Sequence, residues 1–480
     1  MYARSLMINR FFSPEEMQAQ KDCAASVRKI VTDRDIYSRP LRAHVMTLGC
    51  QQNEADSEKL EGMALEMGYT LTDTPEKADL ILVNTCAIRE HAEQRALSFI
   101  GNFKKLKAAN PYLVVGVCGC MVSQEHRIND IKHKYPYVDF VFGTASLHRF
   151  PSLLYEALKK KKRVFFHSGE EDYLVAEGLP IHRNGKTHAW VSIMYGCNNF
   201  CSYCIVPYVR GRERSRRRED IVAEVRELVA NGYKDITLLG QNVNSYGKDG
   251  QYGYDFADLL EELAQIDGDF YLRFMTSHPK DVTDKLIKVV TLYPKIAPHF
   301  HLPLQSGSDR VLRTMNRHYD MAKYLSTVEK LRALNPDITL TSDIIVGFPG
   351  ETQEEFEETI SALENIRFDM IYSFIYSARK GTPAAEMEDQ IPREEQNRRY
   401  SRLLAVQQDI SLAKNTPLVG RTERVLCDGI SKNDPTVYCG RTPGNKIVFF
   451  AGDESMTDSF VNVKIDRAEA FALFGTVVKN

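Results

Sequence analysis

The feature that most constrains the fold is the alternation of short apolar segments with helical patterns along most of the 480 residues. Between residues 42 and 158, four segments are almost continuously apolar: AHVMTLGC, ADLILVNTC, YLVVGVCGC and VDFVFGT. Strands have such continuously apolar sequences when helices cover both faces of a parallel sheet. Amphipathic helical patterns separate the four segments. Residues 42–158 are therefore predicted to form a doubly wound, parallel α/β sheet.

A second series of strand and helix patterns occupies residues 186–414. Its six strand segments are HAWVSIMYG, KDITLLG, FYLRFMTS, PHFHLPLQ, ITLTSDIIVG and MIYSFIYS. Because a closed β/α barrel needs eight units, six units predict a partial, open (β/α)6 barrel. From residue 415 to 480, short strands at close spacing predict a small all-β barrel. Residues 1–41 are predicted to be an N-terminal extension, and residues 159–185 a connector.

The expected cellular compartment bears on the role of the ten cysteines. The chain has no apolar run of about 18 residues, which predicts no membrane span. The N-terminus lacks the apolar core of a signal peptide, so a cytoplasmic location is expected. In a reducing compartment, cysteines are more often metal ligands or catalytic groups than disulfide partners.

The segment CNNFCSYC places Cys197, Cys201 and Cys204 directly after the first strand of the second region. This is the carboxyl end of a barrel strand, where β/α barrels carry their chemistry. Cysteine thiolates hold iron–sulfur clusters. Three cysteines on a four-iron cluster leave one iron open to a substrate, by the logic of a catalytic metal with a free position. The alternative is a zinc loop that lacks its fourth ligand.

Three further cysteines, Cys50, Cys86 and Cys120, each end a predicted strand of the first region. The carboxyl ends of parallel strands open onto one crevice, so these three thiols are expected to converge and to hold a second four-iron cluster. The alternative is that they are ordinary buried cysteines. Cys118 is the competing ligand, because it is predicted to share a strand face with Cys120.

The array CNNFCSYC, with Tyr203 before its last cysteine, resembles the signature of the radical S-adenosylmethionine superfamily. In that superfamily the open iron binds S-adenosylmethionine, and an electron from the cluster cleaves the sulfonium to give a 5′-deoxyadenosyl radical. Further motifs resemble the methylthiotransferases of this superfamily: TLGCQQNEADSE, VNTCAIRE, CGCM, LLGQNVNSYG, HLPLQSGSD, MNRHY and SDIIVGFPGET. The segments GRTPGNKIVFF and AFALFGTVV resemble the small RNA-binding barrel called TRAM.

The resemblance implies two 4Fe-4S clusters, S-adenosylmethionine, and a reaction on tRNA. One S-adenosylmethionine would methylate a cluster-bound sulfur, and another would supply the radical that activates C2 of N6-dimethylallyladenosine next to the anticodon. The implied partners are the tRNA anticodon stem-loop and a low-potential electron donor of the flavodoxin or ferredoxin type. The implied enzyme is a monomer without a membrane partner.

Other functions remain open at this point. The target of the same chemistry could be N6-threonylcarbamoyladenosine in tRNA or an aspartate of a ribosomal protein. A different class of function is a zinc-stabilised RNA-binding protein without catalysis.

Contacts to S-adenosylmethionine are expected from polar residues near the cysteine loop and the strand ends. Tyr203 directly precedes Cys204 in the sequence. The other candidates lie at or just beyond strand ends: Gln241, Ser277, Gln305 and Arg317. The planar guanidinium of Arg317 suits a carboxylate.

RNA contacts are expected from the run VRGRERSRRRED beside the radical cysteines, because phosphates supply most nonspecific affinity for nucleic acids. Its arginines are Arg210, Arg212, Arg214, Arg216, Arg217 and Arg218. The alternative is a solvated charged face. The C-terminal barrel carries eight Lys and Arg against eight Asp and Glu from residue 415 on, so its RNA role rests on the resemblance alone.

Overall fold

The computed structural model describes residues 11–33, 39–88, 90–160, 162–169, 172–250, 252–432 and 434–478. The first region is a parallel six-stranded sheet with the strand order β2-β1-β3-β4-β5-β6. Its strands are β1 (Arg42–Thr47), β2 (Thr70–Leu71), β3 (Leu80–Thr85), β4 (Val114–Gly119), β5 (Phe140–Phe142) and β6 (Val164–Phe166). Its helices are α1 (Pro14–Asp33), α2 (Gln51–Glu66), α3 (Glu90–Ala109), α4 (Glu125–Lys134) and α5 (Phe150–Lys160).

The four strands predicted for this region are confirmed as β1, β3, β4 and β5. Strand β2 and strand β6 are too short for hydrophobic periodicity to reveal, and β6 lies within the residues predicted as a connector. Helix α1, in the predicted N-terminal extension, packs its buried Val27 and Val31 into the same core as Leu154 of α5. Residues 1–10 lie outside the described part of the chain.

The second region confirms the six predicted strands and the partial barrel. Two parallel three-stranded sheets, ordered β7-β10-β11 and β12-β13-β14, follow each other around the barrel. A separate short hairpin, β8 with β9, lies between β7 and β10 along the chain. The strands are β7 (His188–Ser192), β8 (Met194–Tyr195), β9 (Arg214–Ser215), β10 (Asp235–Leu239), β11 (Tyr271–Phe274), β12 (His299–His301), β13 (Thr339–Val346) and β14 (Met370–Ile375). A parallel bridge between Leu272 and Ile296 links the two sheets.

Eight helices accompany these strands in the described chain: α6 (Val206–Arg210), α7 (Arg218–Ala230), α8 (Phe256–Ala264), α9 (Asp284–Leu292), α10 (Asp309–Thr314), α11 (Met321–Leu334), α12 (Gln353–Ile366) and α13 (Arg393–Asn415). One continuous apolar core fills the space between helices and strands, including the fully buried rings of Phe274 and Phe300, whose centroids lie 5.2 Å apart. Helix α12 begins with a capping box in which Thr352 and Glu355 each bond the other's backbone N–H, which satisfies two donors at the helix start.

The C-terminal region is a closed five-stranded barrel in the order β15-β16-β17-β19-β18, as predicted. Its strands are β15 (Thr422–Ile430), β16 (Tyr438–Arg441), β17 (Ile447–Phe450), β18 (Phe460–Ala468) and β19 (Leu473–Val477). The barrel docks on the amino ends of the core strands. There His188, the first residue of β7, bonds Asp428 through Nε2 at 2.7 Å, and Arg273 donates to the carbonyl of Pro443 at 2.6 Å.

The described helices include none that is both long and apolar enough to cross a membrane.

Candidate active site

The first cysteine triad lies on the loop between β8 and α6, and backbone contacts close this loop at its base. The Cys197 N–H donates to the carbonyl of Gly211 at 3.0 Å, and Tyr195 pairs with Arg214 in the hairpin. Gly196 adopts φ 75°, and a Cβ there would lie 2.0 Å from the Arg212 carbonyl oxygen. Only glycine allows this close approach, so the shape of the loop is built into the sequence.

The segment TMNRHY after α10 holds the other side of the loop. The Ser202 N–H donates to the Met315 carbonyl at 3.0 Å, and Asn316 Nδ2 donates to the Phe200 carbonyl at 2.9 Å. Arg317, only 4% exposed, donates through Nη1 to Cys201 Sγ at 3.3 Å and through Nη2 to the Pro303 carbonyl at 3.1 Å. The guanidinium predicted to meet a ligand carboxylate is thus held beside a cysteine of the triad.

Burial favours the protonated form of two thiols of this triad, Cys197 and Cys204. It raises the pKa of Cys197 to about 12 and also raises that of Cys204. Buried, apolar surroundings make a poor setting for a free cysteine nucleophile but suit a metal centre, which displaces the protons. Within the described residues, no three His, Cys, Asp or Glu side chains surround a single metal-ion position. In a four-iron cluster each thiolate binds a different iron, which spaces the sulfur atoms more widely.

Several buried polar atoms beyond the strand ends have no hydrogen-bond partner among the described residues. They are Asn242 Oδ1, both amide atoms of Asn244, Ser277 Oγ, His278 Nε2 and Gln305 Oε1. A buried polar group without a partner costs about 1–3 kcal/mol, so a polar ligand at this end of the barrel would relieve several such costs at once. This donor and acceptor set fits the amino, carboxylate and hydroxyl groups of S-adenosylmethionine.

This set contains two of the residues predicted for S-adenosylmethionine, Ser277 and Gln305, while Gln241 is half-buried nearby in sequence. The hydroxyl of Tyr203 lies 3.5 Å from Arg317 Nη1, and its ring packs against the core that contains Phe348. The prediction did not include Asn242, Asn244 and His278, which lie a few residues beyond the ends of β10 and β11.

His278 is a neutral imidazole. Burial and then the charge of Arg317 lower its pKa far below the ordinary value, and its Nδ1 accepts from the Lys280 N–H. The proton is therefore on Nε2, the ring atom that has no partner in the described chain. His278 can thus offer one hydrogen-bond donor to a ligand.

The second triad forms where three neighbouring strands end. Cys50 caps α2 after β1, Cys86 follows β3, and Cys120 follows β4, and these three strands are adjacent in the sheet. Cys86 and Cys120 are fully buried, and Cys50 is half-buried. Burial is the main cause that raises the pKa of Cys120 to about 12; the charge of Arg210 opposes this rise, and the proximity of Cys86 and Cys50 adds to it. The structure therefore brings these three thiols together.

Cys118 does not share a face with Cys120, so that sequence-based prediction is wrong. Gly119 adopts φ 95°, and Cys120 takes helical dihedral angles of −63° and −38°, which ends the strand alternation between the two cysteines. Cys118 packs in the sheet core with Phe140, whereas Cys120 packs against Ile205 and Val209 of the radical core. A Cβ on Gly119 would lie 2.5 Å from the Thr85 carbonyl oxygen, so the turn requires glycine.

Arg210, predicted to contact RNA, instead joins the two triads. It is 4% exposed, and its Nη2 donates to Asn53 Oδ1 at 3.2 Å and to Asp56 Oδ2 at 3.0 Å. Asn53 in turn donates to the Thr85 carbonyl at 3.0 Å, beside Cys86. The charges of Cys120 and Asp56 outweigh the effect of burial and raise the pKa of Arg210.

Two other members of the arginine run are also buried. Arg214 donates to the carbonyls of Arg210 and Arg212, and Arg216 pairs with Glu177 at 2.6 Å and Glu224 at 2.7 Å. A buried guanidinium bonded inside the fold cannot contact a phosphate, which corrects the RNA prediction for Arg210, Arg214 and Arg216.

The remaining arginines of the run lie nearer the surface. Arg212 and Arg217 are exposed, each lying 4.3 Å from the centre of an aromatic ring, Phe200 and Phe11 respectively. Arg218 pairs with Glu262. RNA contact stays a prediction for Arg212 and Arg217.

Comparison with known proteins agrees with this architecture. Residues 191–363 match the Radical SAM superfamily, residues 42–143 match Uncharacterized protein family UPF0004, and residues 418–478 match the TRAM domain. The solved structure of the radical S-adenosylmethionine methyltransferase TsrM from Kitasatospora setae superposes with a TM-score of 0.52 at 14% identity, covering 72% of this chain and 75% of that chain. At this identity the likeness concerns the fold alone.

Proteins found by comparison of sequences share a much higher identity with this chain than that solved structure does. A protein of Thermoanaerobacter pseudethanolicus is 48% identical over 471 residues, covering 98% of this chain and 99% of its own. One of Caldicellulosiruptor saccharolyticus is 51% identical over 435 residues, covering 91% and 92%. Both are named tRNA-2-methylthio-N(6)-dimethylallyladenosine synthase. The chain therefore belongs to this family of methylthiotransferases, radical enzymes that use S-adenosylmethionine and a 4Fe-4S cluster.

Proposed function

We propose that this protein replaces the C2 hydrogen of N6-dimethylallyladenosine in tRNA with a methylthio group, using two clusters that face one interface. The observation that carries the proposal is the path of the chain after Cys204. Ile205 and Val209 pack against Cys120, and Arg210 bonds Asn53 beside Cys50. The segment that follows the first triad thus packs directly against the loops that carry the second triad.

The chemistry explains why both triads are needed. The C2 hydrogen of the adenine ring is not acidic, so a general base has little effect on it. S-adenosylmethionine, bound at a cluster held by Cys197, Cys201 and Cys204, would supply radical chemistry. The protein orients it with the unpaired atoms of Asn242, Ser277 and Gln305, and Arg317 fixes the position of Cys201.

In this proposal the second triad, Cys50, Cys86 and Cys120, would hold a second 4Fe-4S cluster and leave one of its irons open. The sulfur to be inserted would be carried at that open position. Asn53 and Asp56 keep the Cys50 loop fixed against Arg210, so that the sulfur site stays aligned with the radical site.

The partners follow from the same reaction. Arg212 and Arg217, which are exposed beside the radical loop, would contact the anticodon stem-loop. A low-potential protein of the flavodoxin or ferredoxin type would supply electrons. We propose a monomer in the cytoplasm, where thiols remain reduced.

Nucleoside analysis of tRNA tests the proposed substrate. Cells lacking the gene should accumulate N6-dimethylallyladenosine without its methylthio group, and the wild-type gene should restore the modified nucleoside, as measured by mass spectrometry. Genes encoding either triad replaced by alanine serve as matched controls and should not restore it. Loss of methylthio-N6-threonylcarbamoyladenosine instead would assign the chain to the alternative tRNA substrate, and an unchanged nucleoside profile would refute both.

A further inference from the structure

A cavity of about 50 Å³ lies between the first sheet and the radical core, next to the second cysteine triad. Its lining includes Asp56, Lys59, Tyr195, Arg210 and Arg214. A water molecule needs roughly 10–15 Å³ on such a scale, so the cavity has room for a small ion.

The side chains around the cavity carry an excess of positive charge. Three of them are cationic, Lys59, Arg210 and Arg214, and the one carboxylate among the lining residues is Asp56. Asp56 is already bonded to Arg210 at 3.0 Å. The Asp56 carboxylate therefore balances the charge of Arg210.

Arg214 has no such partner, and Lys59 shares with Arg210 the single carboxylate Asp56, whose charge helps to raise the pKa of Lys59. Arg214 donates to two backbone carbonyls and lies 5.3 Å from the centre of the Tyr173 ring, and its buried Nε has no partner. Lys59 donates to the Tyr195 hydroxyl at 2.8 Å. Among the described residues, neither side chain forms an ion pair.

A buried cation without a counter-charge destabilises the fold, and burial accordingly lowers the pKa of Arg214 to about 10. We propose that this cavity binds a small monovalent inorganic anion, held by Arg214 and Lys59. The anion would accept a hydrogen bond from the unpartnered Nε of Arg214. By fixing Arg214 it would also stabilise the backbone carbonyl of Arg210, the residue that joins the two triads. This site is independent of the proposed substrate.

Bromide is a suitable probe because it scatters X-rays anomalously. Crystals of the cluster-loaded protein grown with bromide in place of chloride should show an anomalous peak inside the cavity, in contact with Arg214 and Lys59. Surface peaks alone, at a bromide concentration that fills surface sites, would overturn the proposal.

A solution experiment tests the same site with matched variants. The unfolding midpoint of the wild type should rise with sodium bromide relative to sodium gluconate at equal ionic strength, because a ligand that binds only the folded state stabilises it. Arg214→Met should lose this bromide-dependent rise, whereas Arg226→Met, which removes an exposed arginine of α7, should keep it. If Arg214→Met does not fold, Lys59→Met should show the same loss. A bromide-dependent rise of the wild-type size in Arg214→Met would overturn the proposal. If Arg214→Met does not fold, the same rise in Lys59→Met would overturn it.

Discussion

The two cysteine triads are assembled in different ways. The radical triad lies within the single segment CNNFCSYC, on a loop clamped by the hairpin β8–β9 and by Asn316 and Arg317. The second triad draws one cysteine from each of three strand ends, which are far apart in sequence and meet because β1, β3 and β4 are neighbours. The first site depends on local loop geometry, and the second depends on the order of strands in a sheet.

This difference has a consequence for stability. A change in the radical loop should leave the core strands intact, since its supports are loop contacts. A change at the second triad acts on side chains buried between a sheet and the neighbouring core, where Cys120 meets Ile205 and Val209. We therefore expect variants of the second triad to affect the unfolding midpoint more.

The largest expected effect is on radical formation. Replacing Cys197, Cys201 and Cys204 together with alanine should abolish cleavage of S-adenosylmethionine, because the cluster that passes the electron is lost. Production of 5′-deoxyadenosine by the reduced protein measures this. Cleavage at the wild-type rate would show that the electron comes from elsewhere.

The second triad should separate radical formation from sulfur insertion. The triple alanine variant of Cys50, Cys86 and Cys120 should still form 5′-deoxyadenosine slowly but make no methylthio product. The matched control is Cys118→Ala, which should keep the product and cost only about 1 kcal/mol of stability as a small core truncation. If Cys118→Ala eliminated the product while Cys120→Ala did not, the assignment of the third ligand would be wrong.

Arg210 should couple the two sites. Arg210→Met leaves Asp56 buried without its partner, which typically costs about 3–5 kcal/mol, so the unfolding midpoint should fall. Because the triads lose their alignment, methylthio product should fall more than 5′-deoxyadenosine does. Adding Asp56→Asn should recover part of the lost stability, and Arg212→Met is the control with an exposed arginine. An unchanged ratio of the two products in Arg210→Met would contradict the coupling.

The smallest effect concerns RNA affinity. Replacing Arg212 and Arg217 with methionine should weaken tRNA binding and reduce the slope of log affinity against log salt by about 1.4–1.8, one released counterion for each lost phosphate contact. Cluster content should not change. Arg218→Met, whose arginine pairs with Glu262, should alter the slope little. A slope equal to that of the wild type in the double variant would place the RNA surface elsewhere.

The sequence predicted the strand regions and the convergence of Cys50, Cys86 and Cys120 because parallel strands end at one edge of a sheet. It did not predict which way the residues after a strand turn. Cys118 and Cys120 separate because Gly119 has a positive φ, a local conformation that alternation alone does not reveal.

The arginine run shows a second limit of prediction from the sequence. Arg210, Arg214 and Arg216 resemble a nucleic-acid surface in sequence, yet all three are buried. The carboxylate partners of Arg210 and Arg216 come from the distant residues Asp56 and Glu177, and Arg214 donates to the carbonyls of Arg210 and Arg212 within the run. Charge composition does not report these tertiary contacts. Likewise Asn242 and His278 gain significance only from the absence of hydrogen-bond partners in the described chain.

The central claim is that two separate triads each hold a four-iron cluster. Iron and sulfide analysis with Mössbauer spectroscopy on anaerobically reconstituted protein tests it most directly. We expect about eight irons and eight sulfides per chain, all in four-iron clusters, falling to about four of each when either triad is replaced by alanine. About four irons in the wild type, unchanged when Cys50, Cys86 and Cys120 are replaced, would contradict the account.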